Sequence, residues 1–120
     1  MNIARPKTSI PIAIPRMFNI QAGNERLHVH PNATKHFREE LNHFFFPSGG
    51  GLIQQQVLLS SFHGALKSAL ELPDLNRSGR NFVRQGDWEL GIDFSNQGSG
   101  RLPVVFHARP ISEGKIYPRG

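Results

Sequence analysis

Hydrophobic side chains recur at helical spacing in two stretches of the first half of the chain. The first predicted helix covers residues 33–46, where Phe and Leu recur every three or four positions. Asn32 precedes it and is predicted to be its N-cap. After the Pro- and Gly-rich break at 47–51, a second helix is predicted over 52–72. Pro73 should end it, because proline disfavours a helical residue before it.

From Arg80 onward the apolar positions alternate with period two, which predicts strands. The expected strands cover residues 81–85, 88–94 and 102–111, with a turn at 96–100, a short earlier strand at 26–30 and a final edge at 115–117. Two N-terminal helices packed on a C-terminal antiparallel meander of three to five strands describe a two-layer α+β domain.

The strand predicted at 102–111 carries the most specific chemistry. Its inward-facing side chains are expected to be Leu102, Val104, Phe106 and Ala108. His107 and Arg109 are two residues apart and should share the opposite face. Histidine transfers protons near neutral pH, and arginine binds phosphate oxygens in a bidentate manner. The pair therefore suits phosphodiester cleavage, and the alternative is an ordinary solvated strand face.

Composition narrows the class of partner. The formal net charge is +5 and the pI is about 10.5, which favours an anionic partner such as nucleic acid. The chain has no Cys, which excludes disulfides, thiol nucleophiles and thiolate metal sites.

The sequence shows no apolar run of membrane-spanning length and no signal peptide. Residues 1–24 contain three prolines and are predicted to form an arm or linker, followed by one domain over 25–120.

Basic side chains gather at the start of the first predicted helix. His28 and His30 precede it, and Lys35 and His36 lie in its first turn. Helix N-termini attract anions through their unpaired N–H groups and the helix dipole, so these residues are candidates for a phosphate site. An ordinary solvated helix start is the alternative.

Two further constellations allow more than one interpretation. His36, Glu40 and His43 lie on one helical face and could ligate zinc, but their spacing matches no known zinc motif. Glu40 would otherwise be an ion-pair partner on the helix surface. Glu89 and Asp93 share the polar face of the strand at 88–94, where they would either orient a histidine or remain surface residues.

Four segments, ATKH, LLSSFHGALKSAL, GDWELGIDFS and RLPVVFHARPI, together resemble C-terminal toxin domains of bacterial polymorphic toxins. The resemblance covers residues 27–111. It implies a fold of the barnase/EndoU/colicin/RelE (BECR) ribonuclease superfamily and RNA cleavage by general acid–base catalysis without a metal or other cofactor. It also implies a monomeric toxin domain, delivered by a bacterial secretion system into the cytoplasm of a target cell. A cognate, acidic immunity protein would cover its site.

The resemblance and the strand positions together give the expected site. The acid–base residues would be His107, His36 and Lys35, and the RNA contacts would be Arg109, Arg84, His30 and Arg80. A non-catalytic basic RNA- or ribosome-binding module is a second interpretation, although paired exposed aromatic side chains for base stacking are not evident. A DNase toxin is a third, and it would need a metal site of carboxylates and histidines.

Overall fold

A computed structural model describes residues 13–96 and 98–111 of the chain. Residues 1–12 of the predicted arm and the predicted edge strand at 115–117 lie outside the described residues. The elements in chain order are β1 (Phe18–Ala22), β2 (Glu25–Val29), α1 (Pro31–Phe44), α2 (Leu52–Leu70), β3 (Arg80–Gln85), β4 (Trp88–Asp93) and β5 (Val104–Pro110). No helix in this part of the chain has the length and apolar character needed to cross a bilayer.

The α+β class with two helices is confirmed, and β3, β4 and β5 form the C-terminal antiparallel meander that we expected, but the sheet as a whole differs from the prediction. Two strands precede the helices, and the five-stranded sheet is mixed, with the order β1-β2-β5-β4-β3. The central pair β2–β5 is parallel and the other pairs are antiparallel. Parallel neighbours require a long crossover connection, which α1, α2, β3 and β4 supply here.

The first strand lies inside the stretch that we expected to be an arm. The last proline of that stretch is Pro15, and from Phe18 onward apolar and polar residues alternate. Ile20 and Ala22 are buried on one face, and β1 pairs with β2 across a turn at Gly23, whose φ of 62° suits glycine. The sheet therefore begins before residue 24.

Both helices pack on one face of the sheet, and the core lies between the helices and that face. Trp88 is its largest side chain, with ring centroids 5.5 Å from those of both Phe37 on α1 and Phe62 on α2. The indole N–H of Trp88 donates to Ser61 Oγ at 2.8 Å, so its polar atom is satisfied. The core therefore joins α1, α2 and β4 around one indole.

Helix α1 starts directly after β2 and packs chiefly against β5. The N-cap is His30 rather than the predicted Asn32, because Pro31 takes the first helical position, where its missing N–H costs nothing. His30 Nδ1 accepts from the N–H of Asn32 at 3.1 Å. Since β2 pairs with β5 only at Val104 and Val105, the later residues of β5 extend beyond β2, and α1 lies against this strand.

A β-bulge between β4 and β5 changes which side chains face inward. His107 is opposite Gly91 but Val105 is opposite Ile92, so Phe106 is the extra residue. Val105 and Ala108 are therefore buried, whereas Val104 and Phe106 are only half-buried and lie on the other face, contrary to expectation. Leu102 lies before the strand begins.

Candidate active site

The face of the sheet that the helices leave uncovered, hereafter the open face, carries the predicted polar side chains. Arg84 on β3, Glu89 on β4 and Arg109 on β5 are cross-strand neighbours in one row. His107 lies in the next row of the same face, opposite Gly91. Strand alternation puts each of these side chains on the open face, and the pairing of β3, β4 and β5 brings them together.

Glu89 holds the imidazole of His107. His107 Nε2 lies 2.9 Å from Glu89 Oε1, and Arg109 Nε lies 3.8 Å from the same oxygen. The hydrogen bond from His107, together with the charges of Arg109, His107 and Arg84, outweighs burial and lowers the pKa of Glu89 below its ordinary value of 4.5. Because an ionised carboxylate only accepts hydrogen bonds, the hydrogen lies on His107 Nε2.

A second histidine meets the first across the boundary between α1 and β5. The rings of His36 and His107 are in edge-to-face contact, with centroids 5.2 Å apart. His36 Nδ1 lies 3.3 Å from Glu39 Oε2, one helical turn away. Each imidazole keeps 22% of its side-chain surface exposed, so both are accessible to a ligand. The structure thus brings together two histidines, each paired with its own carboxylate.

A groove runs between α1 and the end of β5, and of the two histidines in contact only His36 lines it. Its first part, of about 200 Å³, is lined by His36, Glu39, Glu40, His43, Arg109 and Pro110. An adjoining part of about 400 Å³ shares Arg109 and adds Arg84. The groove therefore has guanidinium groups on its sheet side and two histidines, His36 and His43, with carboxylates on its helix side.

Other predicted site residues lie outside this groove. Lys35 is exposed one position before His36, and successive helical residues point about 100° apart, so the two do not share a face. His30 caps α1. Arg80 lies at the other end of the open face, 3.5 Å from Asp93 and with its guanidinium 4.7 Å from the ring centroid of Phe106. The structure therefore groups His107, His36, Arg109 and Arg84, but not these three.

The two carboxylates considered for orienting a histidine differ. Glu89 hydrogen-bonds the imidazole of His107 and so orients it. Asp93 instead accepts from the N–H of Ser95 at 2.8 Å and faces Arg80, and the hydrogen bonds with Ser95 lower its pKa.

The zinc interpretation gains no geometric support. His36, Glu40 and His43 do line the same groove. Within residues 13–96 and 98–111, however, no three His, Asp or Glu side chains form a group that could hold a metal ion.

Sequence reasoning missed three residues of this surface. Glu39 lies three residues after His36, a helical spacing that signals contact. Phe82 alternates with Arg80 and Arg84 along β3, so the strand period was enough to place it on the open face. Phe106 gave no such signal, because the bulge that turns it outward depends on pairing with β4.

No family model matches this chain, and no curated protein matches it.

Proposed function

We propose that this domain is an endoribonuclease that cleaves RNA by metal-independent general acid–base catalysis, with His107 and His36 as the proton-transfer pair. One observation carries the proposal, the contact of the two imidazoles at 5.2 Å, with a carboxylate beside each. Because the two rings touch, a phosphodiester would lie beside the pair, with one imidazole near the attacking 2′-oxygen and the other near the departing 5′-oxygen.

The chemistry requires two proton transfers. One imidazole takes the proton of the RNA 2′-hydroxyl, whose oxygen attacks the adjacent phosphorus. The other imidazole protonates the departing 5′-oxygen, which leaves a 2′,3′-cyclic phosphate and a free 5′-hydroxyl. Imidazole can serve either as general base or as general acid, so the two histidines would supply both functions. His36 is favoured over Lys35 as the partner of His107, because only His36 contacts it.

Arg109 and Arg84 would stabilise the transition state. Both line the groove beside His36 or Glu40, and both lie next to Glu89 in the sheet. Fixed guanidinium groups bind the non-bridging oxygens of a phosphate, where negative charge accumulates during attack.

The resemblance to polymorphic toxins supports the biological half of the proposal. We propose a BECR-type toxin domain that a bacterial secretion system delivers into a competitor cell. An acidic immunity protein would bind the open face, where Arg80, Arg84 and Arg109 supply complementary charge.

The test is cleavage of a labelled single-stranded RNA by the wild type and by His107→Ala, with and without EDTA. The wild type should cleave equally well in EDTA, and His107→Ala should lose about 10²- to 10⁴-fold in rate. His63→Ala is the matched control, because His63 lies on α2, on the covered side of the sheet, and hydrogen-bonds the carbonyl of Gln21. Full activity in His107→Ala would refute the assignment, and loss of wild-type activity in EDTA would favour a metal mechanism.

A non-catalytic RNA-binding module is the second candidate, and the open face favours it through one observation. Phe82 is exposed on this face, and its ring centroid lies 5.2 Å from that of the half-buried Phe106, so the face carries one exposed aromatic side chain with an aromatic neighbour. Binding that weakens steeply with salt, without any cleavage on long incubation, would establish this alternative.

A further inference from the structure

Phe82 is unusually exposed for a large apolar side chain in the middle of a strand. It leaves 67% of its surface in solvent. Its ring meets that of Phe106 nearly at right angles, and the guanidinium of Arg80 covers Phe106 with its carbon 4.7 Å from the ring centroid. We call Phe82, Phe106 and Arg80 the aromatic shelf.

The shelf is built into the sheet by two local features. The bulge turns Phe106 onto the open face. Gly91 is directly opposite Phe82 in the register. Because it has no side chain, it leaves space for the ring of Phe106, two atoms of which would lie only 2.8 Å from a Cβ at this position. Phe106 therefore occupies the space above Gly91 and supports Phe82 from the side.

We propose that the aromatic shelf binds one unpaired base of a single-stranded RNA, stacked on Phe82 beside the cleavage site. The proposal rests on the proposed function for its choice of RNA. The ring centroids of Phe82 and His107 are 6.1 Å apart, so a base on Phe82 and its neighbouring phosphate reach the shelf and the histidines together. A base inside a duplex is already stacked and cannot reach the shelf.

Charge favours an anionic occupant, and the aromatic rings beside it favour nucleic acid. Arg80 is part of the shelf, Arg84 follows Phe82 by two residues on β3, and Arg109 lies on β5 of the same face, while the whole chain carries +5. An aromatic platform bordered by cations is the usual arrangement for binding single-stranded nucleic acid, because every base has a stacking face and every nucleotide has a phosphate.

The experiment measures binding separately from cleavage. A fluorescent 2′-O-methyl RNA oligonucleotide lacks the 2′-hydroxyl nucleophile, so the intact protein can be titrated with it by anisotropy. Phe82→Ala should raise Kd for the single strand about 5- to 100-fold and should leave Kd for the matching duplex unchanged. Phe82→Trp should retain tight binding. Phe46→Ala is the matched control, because Phe46 is 80% exposed but lies in the loop after α1.

Two outcomes would overturn the shelf. Unchanged single-strand binding by Phe82→Ala would mean that the aromatic side chains serve another contact, such as a protein partner. Equal weakening of single strand and duplex would point to backbone contacts instead of stacking. If the shelf binds single strands as expected but the wild type cleaves no RNA, the proposed catalysis fails while the base site stands.

Discussion

Replacing Gly91 by alanine tests the geometry that joins the bulge, the aromatic shelf and His107. Gly91 lies in the middle of β4, and its missing side chain is the space into which two β5 residues project. A Cβ there would lie 2.8 Å from ring atoms of Phe106 and 2.9 Å from the Cβ of His107. Both distances are well inside the separation of about 3.5–4.0 Å at which carbon atoms attract.

The expected cost follows from which atoms can move. The Phe106 ring can swing toward solvent, because it is only half-buried. The Cβ of His107 cannot, because it is fixed by the bulged backbone. Overpacking of this kind costs about 1–3 kcal/mol. Alanine recovers about 0.5–1 kcal/mol of backbone entropy relative to glycine. At the middle of both ranges, Gly91→Ala should therefore lower the free energy of unfolding by about 1 kcal/mol.

Urea unfolding followed by fluorescence measures this difference, since Trp88 is the sole tryptophan and is buried. Gly64→Ala on α2 is the control of opposite sign. A Cβ at Gly64 meets no atom within 4 Å, so alanine there should stabilise the protein by up to about 1 kcal/mol through helix propensity. If Gly91→Ala is as stable as the wild type, the close approach of Phe106 and His107 to β4 is refuted.

Two further substitutions test the polar contacts. Glu89→Gln should lower the free energy of unfolding at pH 7 by less than about 1 kcal/mol, as for an exposed pair. Because the pKa of Glu89 is lowered in the folded protein, the ionised carboxylate stabilises the fold at pH values above 4.5, its ordinary pKa. In urea titrations at several pH values, the difference in stability between wild type and Glu89→Gln should therefore shrink as the pH falls below 4.5. A constant difference would contradict the pairing with His107. Ser61→Ala removes the acceptor of the buried Trp88 N–H and should cost about 1–3 kcal/mol in thermal or urea unfolding, and an unchanged stability would contradict that hydrogen bond.

The helices were predictable because their apolar periodicity is local. Phe37 and Leu41 mark the buried face of α1, and Phe62 and Leu66 that of α2, as the structure confirms. The N-cap of α1 is His30 and not the predicted Asn32, because Pro31 occupies the first helical position. Apolar spacing and capping residues involve positions within about one helical turn, so they can be read from the local sequence.

The sheet was less predictable because its pairing is not local. Nothing near β2 indicates that it pairs in parallel with β5, more than 70 residues later (28 to 104). The proline-rich start also obscured the short alternation in β1. Strand existence followed from period-two patterns, whereas strand order depended on contacts between distant segments.

The candidate site shows the same division. Alternation correctly placed His107 and Arg109 together, because both follow the bulge and share one register with β4. Alternation gave the wrong face for Phe106, because the extra residue at the bulge changes which positions of β5 face the core. The meeting of His36 with His107 depended on where α1 packs, which no local pattern specifies.

The central claim is that His36 and His107 act as one pair on one phosphate, and a double-mutant cycle tests it most directly. The rate of RNA cleavage would be measured for the wild type, His36→Ala, His107→Ala and the double variant. Each single variant should lose about 10²- to 10⁴-fold, and the double variant should lose scarcely more than the worse single one, because residues acting as a unit are not additive. Losses that multiply, or a single variant that cleaves at the wild-type rate, would contradict the account.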